Sequence, residues 1–479
     1  MPSRDIDYPA IRQGLQQLPR TAHHDPGAKV SPDEVVVVAN HRAALDPDRA
    51  LVVGNRGVGK SFWAHALADR ETRAYVAKTF RDLSQLEVVI GFNASSRVDS
   101  AAPTANAVNE AFEKLNTADS LWRTVLVRVA WQQGASRPAS LHSNAFVQDV
   151  DWVHAHGEQV DRILTELDDR YETRKQKLVV VFDALDRLGT NWGNRRTLTT
   201  ALLKQALAAR SYRAIRLKLF MRRDQFEDPL LFQFPDGSKI RNQRVDLQWS
   251  SSELYTLLLS WLVKESASKA AMSQLLDGRT ESSDLASETI HQRLVKVIAG
   301  EFMGDSPKKG RVYTWLSLHL SDARGETSPR TFLTAWREAA CHNPAPLQLV
   351  VDHRGIHEGV RKASEDRLSE LREDYWWISL ALDPLGGQQV PMERTVLKRL
   401  WSTKRTASTI LGRSDEQLPP VRLDTAKRQN INLEDELIAD LVAIGIIEVR
   451  PNDKINIPDI FRLEARIKRK GGVPAPHRE

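Results

Sequence analysis

The sequence has 479 residues, of which 41% are apolar and 27% charged, a globular composition that excludes a fibrous or wholly disordered chain. Mean hydropathy is −0.42, and no stretch approaches the ~18 consecutive apolar residues of a transmembrane helix, so we expect no membrane partner. The net charge of +6 permits contact with an anionic polymer but does not require it.

The cellular compartment is indicated by features that the sequence lacks. Its single cysteine, Cys341, excludes an internal disulfide and a cysteine zinc cluster. The first residues do not place an apolar segment behind a basic one, so no secretory signal is expected. We therefore expect a cytoplasmic protein.

Strand and helix patterns alternate in the first half of the chain. Strands are predicted at 50–53, 86–92, 178–182 and 217–221, and helices over 62–70, 160–171 and 198–206. The apolar run at 178–182 is typical of a strand buried on both faces. The alternation predicts a parallel sheet with helices on both faces.

The pattern changes after about residue 240, where the strands are expected to stop. Helices are predicted over 253–263, 289–299, 329–340 and 366–382, and a linker or long loop over 402–432. A helix at 434–443 followed by short strands at 446–450 and 455–457 has the outline of a winged helix. We expect an N-terminal helical segment (1–45), an α/β core (46–240), a helical lid (241–345) and a C-terminal helical and winged-helix region (346–479).

A phosphate-binding motif lies between the first predicted strand and the first predicted helix. It has the form G-x-x-x-x-G-K-[ST] and consists of Gly54, Asn55, Arg56, Gly57, Val58, Gly59, Lys60 and Ser61. Glycines let the backbone curl so that its N–H groups point at phosphate oxygens, and the helix adds its positive N-terminal end. Lys60 would reach the β- and γ-phosphates, and Ser61 would bind Mg²⁺.

A second magnesium-side group is predicted where a neighbouring strand ends. Asp183 directly follows the apolar run at 178–182, the position from which a P-loop protein holds Mg²⁺. The next residue is Ala184, so no acidic neighbour is present there to polarise the attacking water. Asp186 would do so if the turn folds it back; alternatively it is a surface carboxylate paired with Arg187 or Arg196.

These residues resemble the STAND and AAA+ class of P-loop ATPases, in the neighbourhood of the KAP group of bacterial ATPases. The resemblance covers roughly residues 30–345 and rests on the motif at 54–61, the Asp-x-x-Asp element at 183–186 and the strand ending at 222–224. It implies a P-loop α/β core followed by a helical lid. Arg222 would sense the γ-phosphate, with Arg223 as the alternative, and Arg330 would be a second sensor on a lid helix.

The resemblance also implies a function. The chain would be a molecular switch that depends on ATP and Mg²⁺ and hydrolyses ATP slowly. It would form oligomers or act with a partner effector, and it would take part in bacterial phage defence.

Two other functions remain open at this point. One is a P-loop phosphotransferase; the other is a nucleotide-gated DNA-binding regulator with little hydrolysis. Phosphate contacts from a basic C-terminal helix would support the second, and that helix carries Arg462, Arg466, Lys468, Arg469 and Lys470.

Weaker patterns do not change this interpretation. No Asn-Lys-x-Asp guanine-reading motif follows the predicted sheet, so ATP is favoured over GTP. The segment 385–389 resembles a transporter signature but lies after the Asp183 strand, so a loop is expected. His353 and His357 share a helical spacing but lack a third ligand for a metal, and the pair of histidines at 154 and 156 is dismissed likewise.

Overall fold

The computed structural model describes residues 6–19, 29–97, 99, 101–139, 141, 145–413, 418–429 and 431–471. The chain divides into two units, one formed by residues 23–248 and the other by residues 1–22 together with 249–479. The first helix, α1 (Tyr8–Gln16), belongs to the second of these units. Its Arg12 Nη1 donates to the carbonyl of Val350 at 2.8 Å, which fixes the helix to that unit.

A five-stranded parallel sheet forms the centre of the unit at 23–248. Its strands are β1 (Leu51–Gly54), β2 (Leu86–Phe92), β3 (Lys177–Phe182), β4 (Ile215–Arg222) and β5 (Arg244–Asp246), in the order β2-β3-β4-β1-β5. The four predicted strands are confirmed. The expectation that strands stop after residue 240 is wrong, because β5 pairs in parallel with β1.

Helices cover both faces of this sheet, as predicted. Alternate residues of β3 enter different cores: Val180 packs in one apolar cluster and Val181 in the other, as the two-residue period of a strand requires. The helices of this unit are α2 (Arg42–Leu45), α3 (Lys60–Ala68), α4 (Arg70–Ala77), α5 (Ala105–Leu115), α6 (Ala118–Gln132), α7 (Phe146–Ala155), α8 (Gly157–Thr173), α9 (Trp192–Ala208), α10 (Arg223–Phe226) and α11 (Gly237–Arg241). The fold is therefore an α/β parallel sheet between two helical layers.

The second unit is mainly helical in its described part. Its helices after α1 are α12 (Ser251–Lys264), α13 (Lys269–Leu275), α14 (Ser282–Leu285), α15 (Glu288–Ala299), α16 (Val312–Leu320), α17 (Pro329–Cys341), α18 (His353–Asp374), α19 (Ile378–Leu382), α20 (Arg394–Lys404), α21 (Thr406–Gly412), α22 (Val421–Gln429), α23 (Leu433–Ala443) and α24 (Asp459–Arg462). Its strands are β6 (Gln389–Val390), β7 (Met392–Glu393), β8 (Glu448–Val449), β9 (Lys454–Asn456) and β10 (Lys468–Arg469).

Two predictions about helices in this unit are wrong. The helix expected at 366–382 is the end of α18 followed by the separate α19. α18 begins earlier although glycine weakens a helix, because Gly355 allows close packing: a Cβ there would lie 2.7 Å from the carbonyl oxygen of Ala339 on α17. The segment 402–432, predicted as a linker, contains the helices α21 and α22. Residues 414–417 and 430 of this segment lie outside the described part.

The end of the chain combines a helix with short strands. After α23, the strands β8 and β9 pair antiparallel, and β7 joins them in the order β7-β9-β8. The basic helix expected beyond Arg462 is wrong, because α24 ends at that residue and Lys468–Arg469 form β10, paired in parallel with β6. In the described residues, we find no helix with the length and apolar character needed to cross a bilayer.

Candidate functional site

The loop between β1 and α3 curls back on itself. Gly54 ends β1 so close to the following turn that a Cβ there would lie 2.7 Å from Val58 Cγ2. Gly57 and Gly59 have φ of +82° and +102°, a region that residues with a Cβ rarely occupy. The backbone N–H groups of Gly57, Gly59 and Lys60 donate to no acceptor among the described residues. The loop therefore presents unsatisfied donors at the N-terminus of α3, the arrangement that binds phosphate.

Lys60 is the first residue of α3 and its side chain returns over the loop. Its Nζ donates to the carbonyls of Gly54 at 3.0 Å and Asn55 at 2.9 Å. Burial lowers the pKa of Lys60 to about 8, against the opposing effect of the Asp183 carboxylate. The ammonium group has three donors, so one N–H remains for an acceptor outside the described protein.

Asp183 lies where β3 ends, and its side chain is only 4% exposed. The Ser61 hydroxyl, the Ala184 N–H and the positive charge of Lys60 each favour the ionised form of its carboxylate. Burial nevertheless raises the pKa of Asp183, and these three contacts act against that effect. Ala184 adopts a φ of +55°, which turns the chain sharply just after the carboxylate.

The strand that carries Asp183 is not next to the P-loop strand, so the expectation of an adjoining strand is wrong. β4 pairs with β1 on one side and with β3 on the other. The acid still reaches the loop, because parallel strands bring their carboxyl ends to one edge of the sheet. This inserted strand places Arg222 opposite Gly54 in the register.

Arg222 contacts two carboxylates at this edge. Its Nη1 lies 3.6 Å from Asp186 Oδ2, and its Nε donates to Asp224 Oδ1 at 3.1 Å. The Arg222 and Asp224 side chains are each 14% exposed and that of Asp186 is 33% exposed. All three charges act on Lys60 electrostatically, so Asp186, unlike a surface carboxylate, belongs to the group of charges around the loop.

Two arginines proposed from the sequence have other contacts. Arg223 is buried, and its Nη1 lies 3.2 Å from Asp246 Oδ1 on β5. Arg330, the second residue of α17, donates from Nη1 to Glu370 Oε1 at 2.5 Å. Arg223 therefore ties α10 to the sheet edge, and Arg330 lies in the other unit, held by α18.

Sequence reasoning missed Asp224. The sequence signal for Asp224 is its position two residues after Arg222, which ends β4. The sequence does not indicate that the Arg222 guanidinium turns toward Asp224. The ring of His357 packs against Trp315 at 4.9 Å between centroids, and that of His156 stacks on Trp152 at 4.7 Å. In the described residues, no group of three or more His, Cys, Asp or Glu is arranged to hold a metal.

The parallel sheet, the glycine-rich turn after β1 and the lysine that opens α3 define a P-loop α/β fold. No protein-family model and no curated protein matches the sequence. Solved structures with a detectable likeness include the Aeropyrum pernix ORC2 protein in ADPNP–ADP complexes (13% identity over 94% of this chain and 95% of that one, TM-score 0.39). Another is Cdc6p from Pyrobaculum aerophilum (14% identity over 87% of this chain and 84% of that one, TM-score 0.30). A third is the Aeropyrum pernix ORC1 protein in complex with DNA (13% identity over 89% of this chain and 91% of that one, TM-score 0.33).

Proposed function

We propose that this chain is an ATP-binding and ATP-hydrolysing molecular switch of the AAA+ and STAND type. The observation that carries the proposal is the convergence, at one sheet edge, of the loop N–H donors, the spare N–H of Lys60 and the Ser61–Asp183 pair. The proposed layout is the P-loop core expected at 46–240 and extended by β5, then a lid up to residue 345 and a C-terminal region at 346–479.

The triphosphate would be bound by the loop at 54–61. The N–H groups of Gly57, Gly59 and Lys60 lack protein acceptors in the described part of the chain, and a phosphate oxygen would satisfy them. Lys60 is already positioned by two loop carbonyls, so its remaining donor needs little further ordering to reach the β- and γ-phosphates.

The donor set at Ser61 and Asp183 fits a magnesium ion. Mg²⁺ takes oxygen ligands and retains several waters, and the Ser61 hydroxyl lies close enough to the Asp183 carboxylate to affect its pKa. Because that carboxylate is buried, a cation bound beside it would offset part of its desolvation cost. When bound, Mg²⁺ would neutralise charge on the phosphates.

Hydrolysis would depend on the pair formed by Asp186 and Arg222. The guanidinium orients the carboxylate, and a carboxylate so held can accept a hydrogen bond from the attacking water. Arg222 would also stabilise charge that develops on the γ-phosphate. Arg330 is proposed as the second sensor, which requires it to exchange Glu370 for the nucleotide.

Slow turnover suits a switch. Ala184 supplies no carboxylate beside Asp183, so water activation falls to Asp186, which shares its charge with Arg222. A switch that converts ATP slowly holds its ATP-bound state long enough for a partner to respond. Assembly into oligomers and a role in bacterial phage defence, which the sequence resemblance implies, complete the proposal.

The test is phosphate release by the full chain with ATP and Mg²⁺. We expect slow release that requires Mg²⁺ and is faster with ATP than with GTP. Labelled γ-phosphate transferred to a small acceptor instead of water would identify a phosphotransferase. Absence of both release and transfer, with ATP bound, would leave a binding switch without hydrolysis.

DNA binding is a second candidate, favoured by three exposed basic side chains near the C-terminus. Arg466, Lys468 and Lys470 are exposed and pair with no acid in the described residues, and β7, β8, β9 and α23 could form a winged helix. Neutralised phosphates make binding salt-dependent. Changing all three residues to Gln should therefore lower the affinity for duplex DNA. The slope of log affinity against log salt concentration should decrease in magnitude by about 2–3. Equal slopes for wild type and the triple variant would exclude this surface.

A further inference from the structure

A polar cavity in the second unit is independent of the P-loop. It has a volume of about 280 Å³ and lies between the loop after α16, the β8–β9 hairpin, α24 and β10. Four arginines line it, Arg324, Arg450, Arg462 and Arg469. Such a set of planar, permanently charged groups is typical of a site that binds phosphate or carboxylate.

The carboxylates that line the same cavity already have donors. Asp459 accepts from His319 Nδ1 and from Arg462 Nε at 2.5 Å. Although burial acts to raise it, these two hydrogen bonds lower the pKa of Asp459 to about 2. Because its negative charge is used internally, Asp459 acts as a support that orients Arg462.

The other two carboxylates are satisfied in the same way. Asp322 is only 8% exposed and accepts the backbone N–H groups of Arg324 at 3.0 Å and Glu326 at 2.9 Å. Glu448 accepts from the Asn456 amide at 2.7 Å. Four guanidinium groups and three carboxylates thus line the cavity, which leaves an excess of positive charge.

Arg450 has donor capacity to spare. Its side chain is 19% exposed, and within the described chain its guanidinium makes one interaction, an ion pair of Nε with Glu448 Oε2 at 3.7 Å. That distance is too long for a hydrogen bond. The donors that the described protein leaves unused are therefore available to an anion in the cavity.

The rest of the lining is apolar. Leu318, Pro391, Ile457 and Pro458 contribute aliphatic surface, which an inorganic anion alone would not use. The volume corresponds to about nine water molecules and lies at the low end for small-molecule sites. We propose that this cavity binds a small phosphate monoester, of about the size of a sugar phosphate, with its phosphate on Arg450 and its carbon skeleton against the aliphatic wall.

The experiment is calorimetric titration of the full chain with ribose 5-phosphate. We expect saturable binding that falls at least about tenfold in Arg450→Gln, since a hydrogen bond to a charged group is worth about 1.5–3 kcal/mol. Arg399→Gln, which changes an exposed arginine of the same unit, should bind as the wild type does. Thermal unfolding of Arg450→Gln establishes that the variant is folded.

Four results would overturn the proposal. One is the absence of saturable binding in the wild type; another is equal binding by Arg450→Gln. If binding disappears in Lys60→Ala but persists in Arg450→Gln, the phosphate occupies the P-loop. Ribonate, a carboxylate of similar size, should bind more weakly, and equal affinity would contradict the assignment to phosphate.

Discussion

The guanidinium of Arg222 lies 3.6 Å from the carboxylate of Asp186, so a cation from β4 and an acid from the turn after β3 form a pair beside the P-loop lysine. The geometry links the two groups that we propose for water activation and for charge stabilisation. Their separate contributions can be measured, because only one of them is an acceptor for the attacking water.

Changing Asp186→Asn should slow hydrolysis and leave ATP bound. The amide keeps the shape of the side chain but is a poor proton acceptor, so phosphate release should fall by about 100-fold or more, with the ATP dissociation constant within about threefold of wild type. Asp169→Asn, an exposed position in the same unit, serves as the control. Equal turnover in wild type and Asp186→Asn would exclude this residue as the water-positioning group.

Changing Arg222→Gln should also lower turnover, by roughly 100-fold, as expected for a lost donor to developing negative charge. If the guanidinium orients the Asp186 carboxylate, the loss in the double variant Asp186→Asn/Arg222→Gln should be smaller than the product of the two single losses. Single-turnover phosphate release by the single and double variants measures this coupling, with Arg162→Gln as an exposed control. Fully multiplicative losses would show that the two side chains do not act together.

Ser61→Ala should weaken the response to Mg²⁺ more than the binding of nucleotide itself. The change removes one oxygen ligand and a group that favours the ionised form of buried Asp183, but leaves the N–H groups of the loop in place. We expect the Mg²⁺ concentration for half-maximal hydrolysis to rise by at least tenfold, as judged from a magnesium titration at saturating ATP. Ser61→Thr, which retains the hydroxyl, should remain close to wild type, and a large loss in that variant would argue against a ligand role.

Lys218 lies in the sheet behind the site and has a structural role. Its Nζ donates to the carbonyls of Ala44, Asp46 and Arg49 at 2.8, 2.8 and 2.9 Å, which holds the segment that enters β1. Burial lowers the pKa of Lys218 to about 7, whereas the unfolded chain has a value of about 10.4. Between these values the unfolded state binds more protons, so stability gained from this residue rises with pH in that window and is smallest below it.

Urea unfolding of wild type and Lys218→Met at pH 7.5 and 9.5 measures this effect. The stability of wild type relative to the variant should increase toward pH 9.5, by up to about 1.4 kcal/mol per pH unit. Lys60 titrates in both proteins, so its contribution cancels in the difference. A difference independent of pH would mean that the three carbonyls keep the ammonium charged throughout.

Much of the sheet and of the loop could be predicted because both depend on local sequence. The apolar runs at 86–92 and 178–182 and the glycine spacing from Gly54 to Gly59 determine their own conformations. β5 was missed because Arg244–Asp246 contains a single apolar residue and has an edge position, where one partner strand suffices. A three-residue polar edge strand has no periodic signature.

The contacts of the site depend on which strands are neighbours in the sheet, and the periodicity of the sequence does not specify the strand order. The insertion of β4 between β1 and β3 decides that Arg222 lies opposite Gly54 and that Asp224 joins the site. Similarly, the helices at 402–432 were missed because a polar segment with paired prolines was taken for a linker. There, Asp440 on α23 accepts the N–H groups of Arg422 and Leu423, and this tertiary contact supports the start of α22.

The most direct test is ATP binding by wild type and Lys60→Ala, measured by calorimetry with Mg²⁺ present. Lys204→Ala, an exposed lysine of the same unit, is the matched control. Wild type and Lys204→Ala should bind ATP with equal affinity, and Lys60→Ala should show no measurable heat of binding, because the loop loses the ammonium group proposed to bind the β- and γ-phosphates. Unchanged ATP affinity in a folded Lys60→Ala protein would contradict the assignment of this loop as the nucleotide site.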